Sequence, residues 1–212
     1  TMGRLRAIPT GHLPYLDYLA PGIMAQSALF IAIFYGIQLI WERDAGILSK
    51  LLSTPTPAAA LISGKAFAAA VRATSQVIVI FVLSAILRVG LDWNPLHLLG
   101  AWAVVVLGAA FFSTFSMTIA GMVLSRERVM GIGQALTMPL FFASNALYPT
   151  SVMPGWLRAL SFVNPLSYEV DALRGLLLGT PSNLAVDSGV LVLAVLVGIS
   201  ASSLLVRRLA TT

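Results

Sequence analysis

Catalysis needs nucleophiles, general acids and bases, or metal ligands, and this chain of 212 residues offers few of them. It holds eight carboxylates, two histidines (His12 and His97) and no cysteine. The missing thiol removes disulfides, thiolate chemistry, iron–sulfur clusters and cysteine-bound zinc together. Ser63-Gly64-Lys65-Ala66 lacks the upstream glycine of a phosphate-binding loop and the hydroxyl that would hold Mg2+. No H-E-x-x-H helix and no G-x-S-x-G elbow occurs. Both histidines read as solvated or hydrogen-bonded groups near one edge of an apolar region. No catalytic residue, metal site or bound cofactor is therefore expected in this chain.

The elements around these residues explain the scarcity. Hydrophobic residues make up 58% of the sequence and charged residues 10%, where a soluble domain carries about 25% charged residues. Lipid is the expected solvent for most of the surface. Crossing a hydrocarbon layer of about 30 Å takes roughly 20 apolar residues in a helix. Five stretches qualify, at about 18–40, 66–91, 96–124, 129–148 and 188–206. Arg72 and Arg88 read as flanking the second stretch, where they would snorkel to opposite interfaces. The expected fold is all-α, one polytopic membrane domain over residues 1–212. The first residues show no basic-then-apolar leader, so no signal peptide is expected in them.

Charge sorts by side. With five spans, residues 41–65, 125–128 and the C-terminus share a face that holds eight bases, Arg72 included, against three acids. The opposite face holds five of each, so the whole net charge of +5 lies on one side. The positive-inside rule makes that side cytoplasmic, with Thr1 outside. The basic excess then reports topology in a cell membrane, and no nucleic-acid partner is expected. No acid lies within the predicted spans, which argues against an ion-coupled secondary carrier. No converging nucleophiles support the other competitor, an integral membrane lipid-modifying enzyme.

The cytoplasmic stretch Trp41–Pro55 starts with charges and continues as a short helix, about residues 42–54, with Ile47, Leu48, Leu51 and Leu52 on one face; Pro55 and Pro57 stop it. It suits either a ball-and-socket contact with a cytosolic protein or a helix resting on the bilayer. On the other side, residues 154–179 are too apolar for a solvated loop. They read as two external helices broken at Asn164-Pro165, interfacial or re-entrant, with Leu166, Val170, Leu173 and Leu177 on one stripe.

The run E-R-D-x-G-x-L-x-x-L-L-S-T-P from Glu42 to Pro55, followed by small residues and Gly64-Lys65, resembles the first cytoplasmic loop of the ABC type-2 permeases. Tyr18–Ile23 resembles the segment opening the preceding span. Tyr148-Pro149, Met153–Leu157, Asn164-Pro165-Leu166-Ser167-Tyr168 and Asp171–Arg174 resemble the region before the last span. Within that family the likeness is to the drug-exporting, daunorubicin-resistance-like branch. Family members usually have six spans with both termini inside, so the resemblance implies a further span and a cytoplasmic leader upstream of Thr1.

The resemblance implies the membrane subunit of an ATP-driven exporter, paired with a second permease chain. Its partner would be a cytosolic ATP-binding subunit that carries the ATP and Mg2+. Glu42, Arg43, Gly46, Leu48, Leu51, Leu52, Thr54 and Pro55 would form the helix that couples to it, with Arg126 and Glu127 as a second contact. Asn164, Pro165, Tyr168, Asp171 and Arg174 would belong to the external helix. The substrate path would draw on polar residues of the spans: Gln26, Ser27 and Gln38, then Ser113, Thr114, Ser116 and Thr118, then Gln134, Thr137, Ser144 and Asn145. Such side chains also serve helix packing. Phe141 and Phe142 read as core, with an apolar gate as the other option. A path without charge suits an amphipathic or hydrophobic drug, lipid or glycolipid better than a strongly anionic polymer.

Overall fold

Proline and its neighbours decide where the helices begin. In Asn94-Pro95 and again in Asn164-Pro165, proline takes the first helical position, where no donor is needed. The preceding asparagine caps the helix, accepting from Leu96 N at 3.0 Å and from Leu166 N at 3.1 Å. Pro14, Pro57 and Pro154 each precede a helix as well. The computed structural model describes residues 14–211. His12, Arg4 and Arg6 lie outside the described residues, as does the side chain of Arg208.

The element order is α1 (Tyr15–Asp44), α2 (Ile47–Leu52), α3 (Ala58–Ile86), α4 (Pro95–Val123) and α5 (Arg126–Phe142), then a 3-10 turn (Thr150–Val152), α6 (Gly155–Val163), α7 (Pro165–Leu178) and α8 (Leu184–Thr211). No strand occurs among the described residues. Among the described residues, four helices are long and apolar enough to cross a membrane: Tyr15–Asp44, Ala58–Ile86, Pro95–Val123 and Leu184–Arg207.

Helix α4 lies at the centre, packed against α1, α3, α7 and α8. Its sequence permits this because small residues let backbones approach, which substitutes for a hydrophobic drive between helices in lipid. Gly36 of α1 sits directly on Ser116 of α4, whose hydroxyl donates to Ile33 O at 2.6 Å. Gly198 of α8 faces Thr114, and Gly121 faces Leu205. Met24, Leu29, Phe112, Leu166, Leu173 and Leu177 fill the main core. A second cluster around Ile40, Leu48, Ile62, Met117 and Val206 closes the end where α2 lies.

Two expectations change, and a third is narrowed to one of its alternatives. The second predicted stretch, 66–91, is displaced toward the N-terminus: α3 begins at Ala58, directly after Pro57, and ends at Ile86. Arg72 is consequently at the middle of a helix rather than near its end, and Arg88 lies beyond it with φ of 54°. The fourth stretch, 129–148, is helical only to Phe142, giving 17 residues and a length of about 25 Å. Ser144 folds back onto Phe141 O at 2.7 Å, and Tyr148 donates to Phe142 O at 2.8 Å, so the chain turns where a longer span was expected. Of the interfacial and re-entrant alternatives, α7 takes the second: it is largely buried, packed against α1, α4 and α8.

Asp92 of the α3–α4 connection caps that turn. Its carboxylate accepts from Asn94 N at 3.0 Å and meets His97 Nδ1 at 2.6 Å. The backbone N–H of Asn94, then His97, hold its carboxyl below the usual aspartate range.

Candidate functional site

At the end of the bundle formed by the close of α1, the start of α3 and the start of α5, the charged residues of two loops meet. Glu42 receives Lys65 Nζ at 2.6 and 2.5 Å, and Gln38 Nε2 at 3.2 Å. Arg43 pairs with Asp44 at 2.8 Å and donates to Leu124 O at 2.9 Å. That carbonyl is offered outward because Leu124 ends α4 in the left-handed conformation, φ 59°. Asp44 also takes Arg126 at 2.7 Å, so one carboxylate joins the α1 terminus to α5. Arg43 and Arg126 thus meet through Asp44, with Glu42 held by Lys65 beside them. Their first partners are residues of this chain.

Helix α2 hangs below this lattice. Gly46, with φ of 70°, makes the turn that separates it from α1, a backbone conformation that disfavours any side chain with a Cβ. Ser53 and Thr54 hydroxyls donate back to Lys50 O and Leu51 O at 2.8 and 2.6 Å and close its C-terminal end, before exposed Pro55. The apolar face expected of Ile47, Leu48, Leu51 and Leu52 is divided. Leu48 is fully buried and Leu52 half-buried against the bundle, whereas Ile47 and Leu51 are 48% and 40% exposed. Leu48 therefore anchors the helix and leaves Ile47 and Leu51 to meet something outside. Glu127 is exposed at the start of α5, beyond the Ser125 cap.

At the opposite end, α7 is held by polar contacts. Asn164 Nδ2 donates to Leu140 O at 2.6 Å, and Tyr168 OH to Phe162 O at 2.7 Å. Asp171 bonds Asn145. Arg174 donates to Asn145 O at 2.8 Å and Ala146 O at 3.0 Å, with its guanidinium 3.6 Å over the Tyr18 ring. These carbonyls belong to the non-helical residues after α5, which explains why that segment needs a buried cation. The sequence reading missed Glu169, fully buried against Gly108 of α4 with neither oxygen hydrogen-bonded. Its signal was available, since it lies three residues after Leu166 and four before Leu173, beside the stripe that buries α7.

A family model described as ABC-2 type transporter matches residues 4–178. The chain belongs to that family. Among its relatives, ycf38 of Cyanophora paradoxa, named as a transport permease, is 29% identical over 76% of this chain and 55% of its own length. The daunorubicin resistance ABC transporter permease protein DrrB1 of Streptomyces coeruleorubidus is 27% identical over 78% of this chain and 59% of its own. Nodulation protein J of Rhizobium leguminosarum bv. viciae is 26% identical over 92% of this chain and 75% of its own. The chain spans little more than half of the first two relatives. With four helices among its described residues long and apolar enough to cross a bilayer, this ABC-2 chain is a multi-pass membrane protein.

Within the ABC-2 fold, the polar residues considered for a substrate path separate into two groups. Ser27, Ser113, Thr114, Thr118, Thr137 and Ser144 donate to carbonyls three or four residues back on their own chain, and Ser116 to Ile33 of α1. That is helix-packing chemistry. Asn145 is buried in the α7 contact and Phe141 in the core, with Phe142 exposed beside it. Gln38 and Gln134 are exposed and Gln26 half-buried, which leaves them accessible to a ligand.

Proposed function

We propose that this chain is the membrane-spanning subunit of an ABC exporter. The substrate is an amphipathic or hydrophobic drug, lipid or glycolipid, and the energy comes from ATP hydrolysed with Mg2+ on a cytosolic partner. The observation that carries the reading is α2, a short helix held firmly by Leu48 and the Glu42–Lys65 and Asp44–Arg126 pairs, with Ile47 and Leu51 turned outward. An exposed apolar pair on a rigid mount suits transmission of force, because a partner pushing on it moves α1 and α3 with it. Family membership and the permease names of the relatives support the same reading.

In this reading α5 serves as a further, shorter span beside the four long ones. The α2 end faces the cytoplasm, the α7 end lies outside, and the chain works with a second permease chain, identical or related. Closure of the ATP-binding subunits then drives α2 and switches the pair between inward- and outward-open states.

The test uses the full-length protein with its ATP-binding partner. Leu51→Asp and Glu42→Ala should leave membrane insertion intact while separating ATP hydrolysis from transport. Normal export by both variants would overturn the coupling assignment.

A further inference from the structure

Between α1, α3 and α5 runs an open groove of about 670 Å³, lined by Phe34, Gln38 and Trp41, by Arg72, and by Arg126 and Met130. That volume lies in the range of small-molecule sites. The transport reading uses two of its residues, Gln38 in the substrate path and Arg126 at the second contact with the ATP-binding subunit, and gives no role to Arg72 or to the groove itself. Arg72 is its unusual member. It stands at the midpoint of α3, roughly 21 Å from either end at 1.5 Å per residue, on a helix long and apolar enough to span a membrane. An ionised side chain partway along such a helix is costly in hydrocarbon, and sharing one groove with Trp41 and Arg126 at the α2 end of the bundle directs its guanidinium toward that interface.

Arg72 has no ion pair among the described residues; its guanidinium lies 5.8 Å from the ring centre of buried Tyr35. Across the groove, Arg126 lies 5.5 Å from the Trp41 ring centre. Its acid, Asp44, is shared with Arg43, and nearby Glu42 is occupied by Lys65. The groove is consequently short of negative charge. Its remaining walls are open and, Gln38 apart, apolar, with Phe34 and Trp41 each 57% exposed and Met130 53%. A planar guanidinium is suited to two-pronged contact with a phosphate. Aromatic and thioether surfaces suit hydrocarbon.

We propose that this groove binds an acidic membrane phospholipid, with Arg72 and Arg126 on its phosphate and Phe34, Trp41 and Met130 against its acyl chains. Binding requires neither the ATP-binding partner nor transport, so it stands or falls separately from the proposed function. The sequence reading saw only a path without charge, whereas two arginines distant in sequence, Arg72 and Arg126, line this one groove.

Trp41 is a built-in reporter. The full-length protein, with its other tryptophans replaced by phenylalanine, is reconstituted into bilayers containing brominated phosphatidylglycerol or brominated phosphatidylcholine. Quenching of Trp41 should report a preference for phosphatidylglycerol of about five-fold in apparent affinity per arginine engaged. Arg72→Gln and Arg126→Gln should each reduce that preference, and their combination should abolish it. Arg72→Lys, which keeps the charge, should retain part of it and separates a charge effect from misfolding. Three results would overturn the proposal: equal quenching by both lipids in the parent protein, preference unchanged in the double variant, or no quenching of Trp41 by either lipid, meaning that protein covers the groove. Loss of the preference on adding millimolar inorganic phosphate would also sink it, by making this a site for a free anion.

Discussion

Lys65 of α3 closes on Glu42 of α1 with both carboxylate oxygens in reach, at 2.6 and 2.5 Å, and the two side chains are only 13% and 16% exposed. The pair joins the end of one long helix to the start of the next. The α2 segment between them is thereby a closed loop with a charged clasp at its neck. The clasp limits how far α2 can move without α1 and α3.

Removing one half of the clasp should cost more than removing both. Lys65→Met leaves Glu42 shielded and without its cation, and should destabilise the protein by about 2–3 kcal/mol, the low side for buried pairs because some solvent reaches both groups. Adding Glu42→Gln to it should recover part of the loss. Thermal unfolding in detergent of the two single variants and the double one measures this. Additive losses would mean that the pair is not coupled.

Glycines of this chain should respond to alanine in opposite directions. A Cβ at Gly36 would run into Ser116, and one at Gly108 into the Glu169 carboxylate, so both substitutions should lower stability by about 1–3 kcal/mol, as overpacking does. A Cβ at Gly64 meets nothing within 4 Å, and Gly64→Ala in α3 should gain about 0.5–1 kcal/mol from helix propensity. Melting temperatures of the three variants, in one detergent, decide it.

Much of this was legible in the chain. Scarce charge and long apolar runs marked the membrane helices, and the stretch opening at 96 and the break at Asn164-Pro165 fall within a residue of the starts of α4 and α7. The registers of α3 and α5 were not legible, for different reasons. Ala58, Ala59 and Ala60 are helix formers whose hydropathy is too weak to mark a span, so α3 looked later than it is and Arg72 looked peripheral. The residues after Phe142 are apolar enough to continue a span, yet they are turned by Ser144 and gripped by Arg174, a contact from 29 residues away that no local pattern reveals. The division of α2 into Leu48 inside and Leu51 outside depends on its packing against α1 and α8, which the spacing of the four apolar residues does not encode.

The α7 anchor gives a third prediction. Asn164 both caps α7 through Leu166 N and donates to Leu140 O, so Asn164→Ala loses a cap and leaves a carbonyl without its donor. About 1–3 kcal/mol of stability should go with it. Arg174→Met should be worse, because the carbonyls of Asn145 and Ala146 lose their shared donor inside the protein. Protease cleavage after α5, between residues 143 and 149, should speed up in both variants. Unchanged cleavage would show that α7 does not hold this segment.

Leu48 and Leu51 lie three residues apart on one short helix and should behave as different kinds of residue. Leu48 is fully buried in the cluster with Ile40, Ile62 and Val206, so Leu48→Ala opens a cavity and should cost about 2–5 kcal/mol. Leu51 is 40% exposed, and Leu51→Ser should change stability by no more than about 0.5 kcal/mol. If Leu51 is a contact for the ATP-binding subunit, that same mild substitution should weaken co-purification with the subunit, while Leu48→Ala does so only as far as it unfolds α2. Measuring melting temperature and partner retention on both variants separates mount from contact. A Leu51→Ser protein that keeps both its stability and its partner would mean that the outward face of α2 meets lipid or water instead.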